Sequence, residues 1–388
     1  MTKDYLKNCY DSYKELRLKH RYINNDHILP LIENLKDHFE INQIGDSVLK
    51  APIHSIKIGN GTKKILIWSQ MHGNESTSTK AIFDLCNVFS LDDSDNIQQI
   101  LNSCTVLIIP ILNPDGAKAF TRLNANGIDL NRDAKSLTQP ESIVLRNLFN
   151  DFKPHFCFNL HGQRTFFAAG EVNKSATLSF LSPAVDEGCM LNDTRKKAME
   201  VIVAINNLLQ AQIPKQIGVY DDTFNDNCVG DTFQVLEVPT LLFEAGHYKN
   251  DYAREITRFY MFQALMYGLY YIAINKVSGS EYKPYFDIPM NSKSYFDIII
   301  RQAKIPDSNG VIIRDIAIQY QEVLKNNSID FVPKIEKIGD LSSYFGHKEI
   351  SAHSNMVSVK SNQDLIEGLE VDEIFIENTK YSLKLTQS

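Results

Sequence analysis

His72 and Glu75 stand three positions apart, directly after the short apolar run Ile65-Leu66-Ile67-Trp68. An imidazole nitrogen and a carboxylate oxygen at that spacing can close on one divalent ion, and this donor pair suits zinc. A His-x-x-Glu pair also arises by chance, so its meaning depends on what else the chain brings to it. The apolar run is brief and ends at a glycine-containing turn, as a buried strand does. From Ser76 to Phe89 the apolar residues Ala81, Ile82, Leu85, Val88 and Phe89 keep a helical period. The pair therefore falls in a strand-to-helix turn, and in open α/β sheets ligands bind beyond the carboxyl ends of strands.

A catalytic zinc site needs a third protein ligand, and the chain has ten histidines. His161 ends the apolar run Phe156 to Leu160 and is the best placed of them. His155 precedes that run and belongs at the opposite edge of the sheet. His247 either lines the cleft or is a hydrogen-bonded loop histidine. The others, at 20, 27, 38, 54, 347 and 353, have polar or helical surroundings that suit surface or structural roles. Two histidines and a carboxylate leave the fourth position for water, whose pKa zinc lowers to about 7. A second carboxylate must then accept the water's proton. Glu244 ends the apolar run Thr240 to Phe243, where an isolated carboxylate is costly to bury. Its alternative reading is a salt bridge at a helix N-terminus.

The segment Arg122-Leu-Asn-Ala-Asn-Gly-Ile-Asp129-Leu-Asn131-Arg132-Asp133 places two arginines and several side-chain amides in one irregular loop. Guanidinium groups offer planar, paired donors to a carboxylate or a developing oxyanion. A solvated loop held by surface salt bridges reads the same way.

The elements that must position these residues follow from periodicity. Helices are expected over 4–20, 28–39, 76–89, 141–152, 195–212 and 251–274. Strands are expected over 56–58, 65–68, 106–111, 156–160 and 240–243. The alternation predicts an α/β fold with a mixed, largely parallel central sheet flanked by helices. Four strands end in chemically loaded residues, namely His72 with Glu75, Asn113 with Asp115, His161, and Glu244. Parallel strands would bring these ends to one sheet edge. Beyond about 280 the pattern changes to short alternating runs such as Tyr295 to Ile300 and Glu373 to Ile376. The expected organisation is an N-terminal helical segment (1–44) packed on a main domain (45–278), then a small β-rich module (281–388).

Bulk properties narrow the field. The formal charge of −7 over 388 residues argues against general nucleic-acid binding, which needs clustered Lys and Arg. The run Phe259 to Ile274, about 16 residues, is too short for a membrane span and reads as a buried helix. The N-terminus lacks the apolar core of a secretory signal. The six cysteines are dispersed, so free thiols and a cytoplasmic location are expected.

HGNE at 72–75, NPDG at 113–116, NANGIDLNRD at 124–133, NLHG at 159–162 and LFEAG at 242–246 together resemble the zinc carboxypeptidase (funnelin, carboxypeptidase A-like) family. They occur in that family's order, and the resemblance covers about 45–275, closest to the compact bacterial type that includes murein peptide amidases. It implies one zinc per chain held by His72, Glu75 and His161, with Asp129 fixing the tautomer of His72. It also implies that Arg122 stabilises the tetrahedral oxyanion and that Asn131 and Arg132 hold the substrate's terminal carboxylate. Glu244 would serve as general base and then general acid. Tyr220, 24 positions before Glu244, matches the family's mobile tyrosine, which meets substrate; Phe224 lacks the hydroxyl. Asn74 and Gly162 depart from some digestive members. The implied activity is hydrolysis of the C-terminal residue of small peptides bearing a free carboxylate, including murein-derived ones. An N-acyl amino acid deacylase of the aspartoacylase/succinylglutamate desuccinylase type shares part of this pattern, and an inert zinc-binding peptide-recognition protein is the non-enzyme alternative. Asp221, Asp222 and Asp226 near Tyr220 either favour a basic substrate residue or are simply solvated.

Overall fold

The computed structural model describes residues 1–308, 310–359 and 364–385. The β-rich module expected over 281–388 thus ends outside the described residues. The chain forms two compact units, Met1–Gln163 with Ala176–Asn291, and Arg164–Ser175 with Ser292–Ser388.

The first unit is built on an eight-stranded sheet. Its strands are β1 (Glu40–Asp46), β2 (Pro52–Ile58), β3 (Lys63–Trp68), β4 (Cys104–Ile109), β5 (Phe156–Gly162), β6 (Leu178–Leu181), β7 (Ile217–Val219) and β8 (Thr240–Ala245). They lie in the order β1-β2-β4-β3-β5-β8-β6-β7. The centre, β4-β3-β5-β8, is parallel throughout, while β1, β2 and β6 join by antiparallel pairings. The sheet is therefore mixed with a parallel heart, as the alternation of strands and helices predicts.

Strand alternation feeds two separate cores. Ile65 and Ile67 of β3 face one way, with Ile108 and Phe158. There they pack against the helices α1 (Lys3–Tyr13), α2 (Asn25–Leu35), α3 (Thr77–Leu91) and α4 (Asp95–Ser103). Leu66 and Trp68 face the other way, with Leu107 and Ile109. The helix α5 (Pro114–Ala119) leads into the loop that follows β4, and α6 (Pro140–Phe152) covers this second face through Leu145 and Phe149. The helix α7 (Asp193–Gln210) joins the first core, α8 (Val229–Val235) adds Val229 and Phe233 to the second, and α9 (Glu255–Ile274) lies in the first. Burial on both faces explains why the central strands read as unbroken apolar runs. It also explains α9, whose sequence is apolar nearly all round. Among the described residues no helix is long and apolar enough to cross a membrane. All six cysteines are free thiols, four of them buried.

Several details differ from the sequence expectation. The first helix stops at Tyr13 rather than continuing to 20, and the second spans Asn25–Leu35. The helix α4, nine residues long with Ile97 and Ile100 buried, was not expected, nor were the strands β1, β6 and β7, which are short or polar enough to leave a weak period. The boundary near 280 also shifts. Tyr285 and Ile288 are buried in the first core, so the chain up to Asn291 packs with the first unit.

The second unit holds a four-stranded sheet in the order Ser328–Gly339, Gly310–Lys325, Tyr295–Asp307, Phe345–Ser351, and a three-stranded antiparallel sheet of Val357–Val359, Glu373–Ile376 and Thr379–Ser382. Its members from the earlier segment include Phe166, whose carbonyl accepts the Tyr295 amide at 2.9 Å. The described part is β-rich, as the alternating runs predict.

One buried ion pair ties the first unit together. Arg258 on α9 donates Nε to Asp84 Oδ2 at 2.7 Å and Nη2 to Asp84 Oδ1 at 2.6 Å. It also donates to the carbonyls of Leu18 and Glu15 at 2.7 and 2.8 Å. Both side chains are fully buried. Removing one member leaves the other charge without compensation, at about 3–5 kcal/mol. Arg258→Met is expected to lower the unfolding free energy by about that amount in urea titration. A loss under about 1 kcal/mol would show that the pair is not holding the fold.

Candidate metal centre and catalytic site

The chain leaves β3 through a constrained turn. Gln70 adopts a left-handed conformation (φ 45°) while fully buried. Its side chain secures the turn by donating to Gly73 O at 2.8 Å and Ile23 O at 3.0 Å, and by accepting from Thr79 Oγ1 at 2.7 Å. Gly73 is required here, because a Cβ on it would lie 1.9 Å from the carbonyl carbon of Gly116. The Glu75 amide then closes on His72 O at 3.1 Å. Two strands are thereby aimed at one point, because β5 runs parallel to β3 and delivers His161 from the neighbouring strand.

His72, Glu75 and His161 form the one metal-ligating cluster found among the described residues. The His72 Nδ1 lies 3.0 Å from Glu75 Oε1, His161 Nδ1 lies 3.1 Å from Glu75 Oε2, and the two Nδ1 atoms are 3.1 Å apart. Ligands about 2.0–2.1 Å from a tetrahedral zinc are spaced by little more than 3 Å, so these separations fit the ion. The proton inventory agrees. Asp129 Oδ1 sits 3.0 Å from His72 Nε2, which holds the proton on that nitrogen and turns the Nδ1 lone pair inward. The His161 Nε2 is buried without a hydrogen-bond partner, so its Nδ1 carries the polar interactions of that ring.

The electrostatics are those of a cation-ready site. Burial alone would raise the Glu75 pKa, but His72 and His161 outweigh it and hold the carboxyl well below the usual carboxylate range. Burial opposes the charged form of His72, yet Glu75 and Asp129 overcome it and its pKa is raised. For His161 burial dominates and the pKa falls. Asp129 resists its own burial through His72 and Arg122 and stays ionised. The Gly162 amide adds a bond of 2.9 Å to Glu75 Oε2.

Glu244 is delivered by register. In the parallel pair of β5 and β8, His161 is the partner of Glu244, and paired residues present their side chains on the same face. The Glu244 Oε2 is buried with no hydrogen-bond partner. Burial, then the nearby charge of Glu75, raise its pKa well above the usual range. A carboxyl that favours its neutral form beside an ionised one is poised for proton transfer.

The arginine loop is a folded device. Asn124 accepts the amides of Asn126 and Ile128 at 3.1 and 3.0 Å, and Asp133 accepts the amides of Thr138 and Gln139, both at 2.9 Å, just ahead of α6. Between them, Asp129 Oδ2 accepts Arg122 Nε at 3.0 Å, and Arg122 Nη1 lies 3.5 Å from Glu75 Oε1. Asn131 uses its Oδ1 to accept the Val229 amide at 3.0 Å. Arg132 is exposed and rests Nη1 on Asn131 O at 2.7 Å and Cys228 Sγ at 2.9 Å. Tyr220 is half-buried and donates its hydroxyl to Gln163 Oε1 at 2.7 Å. Its pKa is raised by burial first, and then by the carboxylates of Glu244 and Glu75.

Other sequence candidates have different roles. Asn113 donates to Met71 O at 3.1 Å, and Asp115 accepts from Ser47 Oγ at 2.8 Å and Leu49 N at 2.9 Å, so that strand end buttresses the turn and supplies no ligand. His155 accepts the Lys64 amide at 2.9 Å, at the amino end of β3. His247 is buried near Tyr252, with ring centroids 4.8 Å apart, and is not in the metal cluster. Asp222 pairs with Arg195 and Asp226 with Lys135, so two of the three loop aspartates are already neutralised. Sequence reasoning missed Gln163 and Arg254, which meet at the ends of β5 and β8. The nearness of Gln163 to His161 was the one available signal.

Comparison with known proteins agrees with the fold. A sequence model of the family described as zinc carboxypeptidase matches residues 28–168. Carboxypeptidase 2 of Trichophyton rubrum is 28% identical over 102 residues, covering 26% of this chain and 19% of that protein. Gamma-D-glutamyl-L-diamino acid endopeptidase 1 of Lysinibacillus sphaericus is 36% identical over 80 residues, covering 19% of this chain and 20% of that protein. The chain thus spans about a fifth of the length of these relatives. Among solved structures, a metallo-carboxypeptidase from Burkholderia cenocepacia aligns with a TM-score of 0.51 at 17% identity, over 64% of this chain and 68% of that one. Carboxypeptidase A from Helicoverpa armigera aligns at 0.52 and 14%, over 70% and 81%. These likenesses establish the fold.

The contact between Asp129 and His72 has a measurable consequence. Partners that orient a metal-bound histidine are worth about 10–100-fold in affinity. Asp129→Asn is expected to weaken zinc binding by about that factor in chelator competition, with the fold retained, and unchanged affinity would remove Asp129 from the role. Residues 28–168 thus match the zinc carboxypeptidase family model, and the fold is similar to that of solved metallo-carboxypeptidases.

Proposed function

We propose that the protein is a zinc-dependent metallocarboxypeptidase that hydrolyses the C-terminal residue of small peptides, with one zinc per chain at His72, Glu75 and His161. The observation that carries this reading is the register pairing of His161 with Glu244, a half-buried glutamate whose Oε2 is buried without a hydrogen-bond partner. Bound zinc supplies Lewis acidity, lowering the pKa of a water and polarising the scissile carbonyl. Glu244 takes the proton of the attacking water and later hands it to the leaving amine. Arg122, held by Asp129, turns its remaining donors to the oxyanion that develops at the carbonyl oxygen. Asn131, whose Oδ1 is engaged by Val229, offers its Nδ2 to the substrate's terminal carboxylate, and Arg132 adds a guanidinium. Tyr220, whose hydroxyl is held by Gln163, contacts the substrate.

The family resemblance supports peptide over N-acyl amino acid substrates, because the loop from Arg122 to Arg132 is complete. The diamino acid in the name of the Lysinibacillus relative supports murein-derived peptides as a substrate class. The ion pairs of Asp222 and Asp226 weaken the case for an acidic pocket in that loop. Six free thiols and net negative charge support a cytoplasmic location.

Three measurements test the reading. Glu244→Gln is expected to lower kcat by about 10²–10⁴-fold while leaving zinc affinity intact, and near-wild-type turnover would sink the mechanism. Arg132→Ala is expected to raise KM about 10–100-fold for peptides ending in a free carboxylate, the worth of a charge-assisted hydrogen bond. Amidated peptides should be nearly indifferent to that change, and an equal effect on both would remove Arg132 from carboxylate recognition. The pH dependence has a definite sign. Burial and Glu75 raise the Glu244 pKa, and the protonated form cannot act as base. A cation bound at the cluster lowers that pKa again, so kcat/KM of the zinc-loaded protein is expected to fall on the acid side as Glu244 takes up its proton, and an acid limb kept unchanged in the residual activity of Glu244→Gln would exclude Glu244 as its source.

A further inference from the structure

The strands β5 and β8 part company just past the residues that matter. Their ladder pairs His161 with Glu244 and Gly162 with Ala245, and its last backbone bond runs from the Gln163 amide to Ala245 O at 3.0 Å. Beyond that rung the next amide turns away, since Gly246 N donates to Thr177 O at 2.8 Å. Buried carbonyls at the end of a ladder need donors.

Arg254 supplies one to Gln163 O and adds a second to Ala245 O. It is 1% exposed, and it donates Nη1 to Ala245 O at 3.2 Å and Nη2 to Gln163 O at 3.1 Å. The guanidinium thus spans one carbonyl on each strand and stands in for the missing rung. Its backbone is committed to this placement. Arg254 caps α9 in a left-handed conformation (φ 60°), and its amide donates to Asp251 O at 3.0 Å. The Asp251 carboxylate accepts the amides of Glu255 and Thr257, both at 2.8 Å, and so anchors the start of that helix. Non-glycine residues held in this region cost of order 1–3 kcal/mol and persist where the surroundings over-determine them. A lysine at 254 has a single ammonium and cannot span two carbonyls as a planar fork does.

We propose that Arg254 is a positioning residue that clamps the carboxyl ends of β5 and β8 and so fixes the separation between the metal ligand His161 and the carboxyl of Glu244. The inference rests on the hydrolase reading only for its catalytic consequence, because the clamp itself is a property of the two strands. A misplacement of about 1 Å between reacting groups costs about 10²-fold in rate, so the effect belongs in kcat.

The test uses Arg254→Lys and Arg254→Met in the full chain. Hydrogen exchange read on the protein without added zinc is expected to show the Gln163 amide exchanging at least about tenfold faster in both variants, while Phe158 and Leu160 in the same strand keep their protection. With zinc and a peptide substrate, kcat is expected to fall at least about tenfold, with KM within about twofold and zinc affinity within about threefold. Unchanged Gln163 exchange in Arg254→Lys overturns the proposal. So does a uniform loss of protection, zinc affinity and activity together, which is what a purely structural arginine would give. Should Arg254→Met fail to fold, the lysine variant decides. If Gln163 exchange accelerates while the wild-type protein cleaves no peptide, the clamp stands and the hydrolase reading falls.

Discussion

The site depends on one constraint, the parallel pairing of β3, β5 and β8. Parallel strands end at the same edge, so three adjacent strands present their terminal residues to one volume. His72 and Glu75 come from the turn after the first, His161 from the second, and Glu244 from the third. Backbone hydrogen bonds set these relations before any side chain is considered. A one-residue slip of β8 against β5 would turn Glu244 to the opposite face of the sheet. The helices on both faces serve this constraint, because a parallel sheet is stable only when both its sides are buried.

The same geometry forces an unusual charge distribution. Glu75, Glu244 and Asp129 converge on one region with a single nearby arginine, Arg122, in direct contact. Burying two carboxylates near each other cannot leave both comfortably ionised. The conflict resolves unequally. Glu75 is surrounded by imidazoles and the Gly162 amide and stays charged, whereas Glu244 has no polar partner at Oε2 and is pushed toward the neutral form. A divalent cation among His72, Glu75 and His161 relieves this imbalance, since its field favours the ionised state of both carboxylates.

Sequence reading reached the parts of this arrangement that rest on local pattern. The candidate cluster of His72, Glu75 and His161 was legible because its members follow the ends of apolar runs, where a polar residue needs a reason. The parallel heart of the sheet was legible because doubly buried strands lack alternation. What the sequence hid depends on tertiary partners. Asn113 and Asp115 looked equivalent to the other strand ends, but β4 lies one strand beyond β3, and its loop props the turn instead of reaching the ligands. The strands β6 and β7 at one end of the sheet are four and three residues long, too short to carry a period. The assignment of Arg164–Ser175 to the second unit follows no local signal, because those residues lie between two stretches of the first. Gln163 and Arg254 are 91 positions apart, and nothing in either residue announces the other.

The loop from Arg122 to Arg132 shows why a dozen irregular residues keep a fixed shape. Its ends are tied by Asn124 and Asp133, which satisfy backbone amides that have no ladder or helix to join. Its middle is tied by Asp129, and that carboxylate is divided. One oxygen meets His72 and the Asn131 amide, and the other meets Arg122. A single side chain thereby couples the tautomer of a metal ligand, the start of the turn carrying Asn131 and Arg132, and the aim of the arginine proposed for the oxyanion. Any shift of His72 toward an incoming cation is felt at Arg122 through that one carboxylate. The proposed metal ligand and the proposed oxyanion arginine are in this way parts of one hydrogen-bonded unit, so substitutions within it will not be additive.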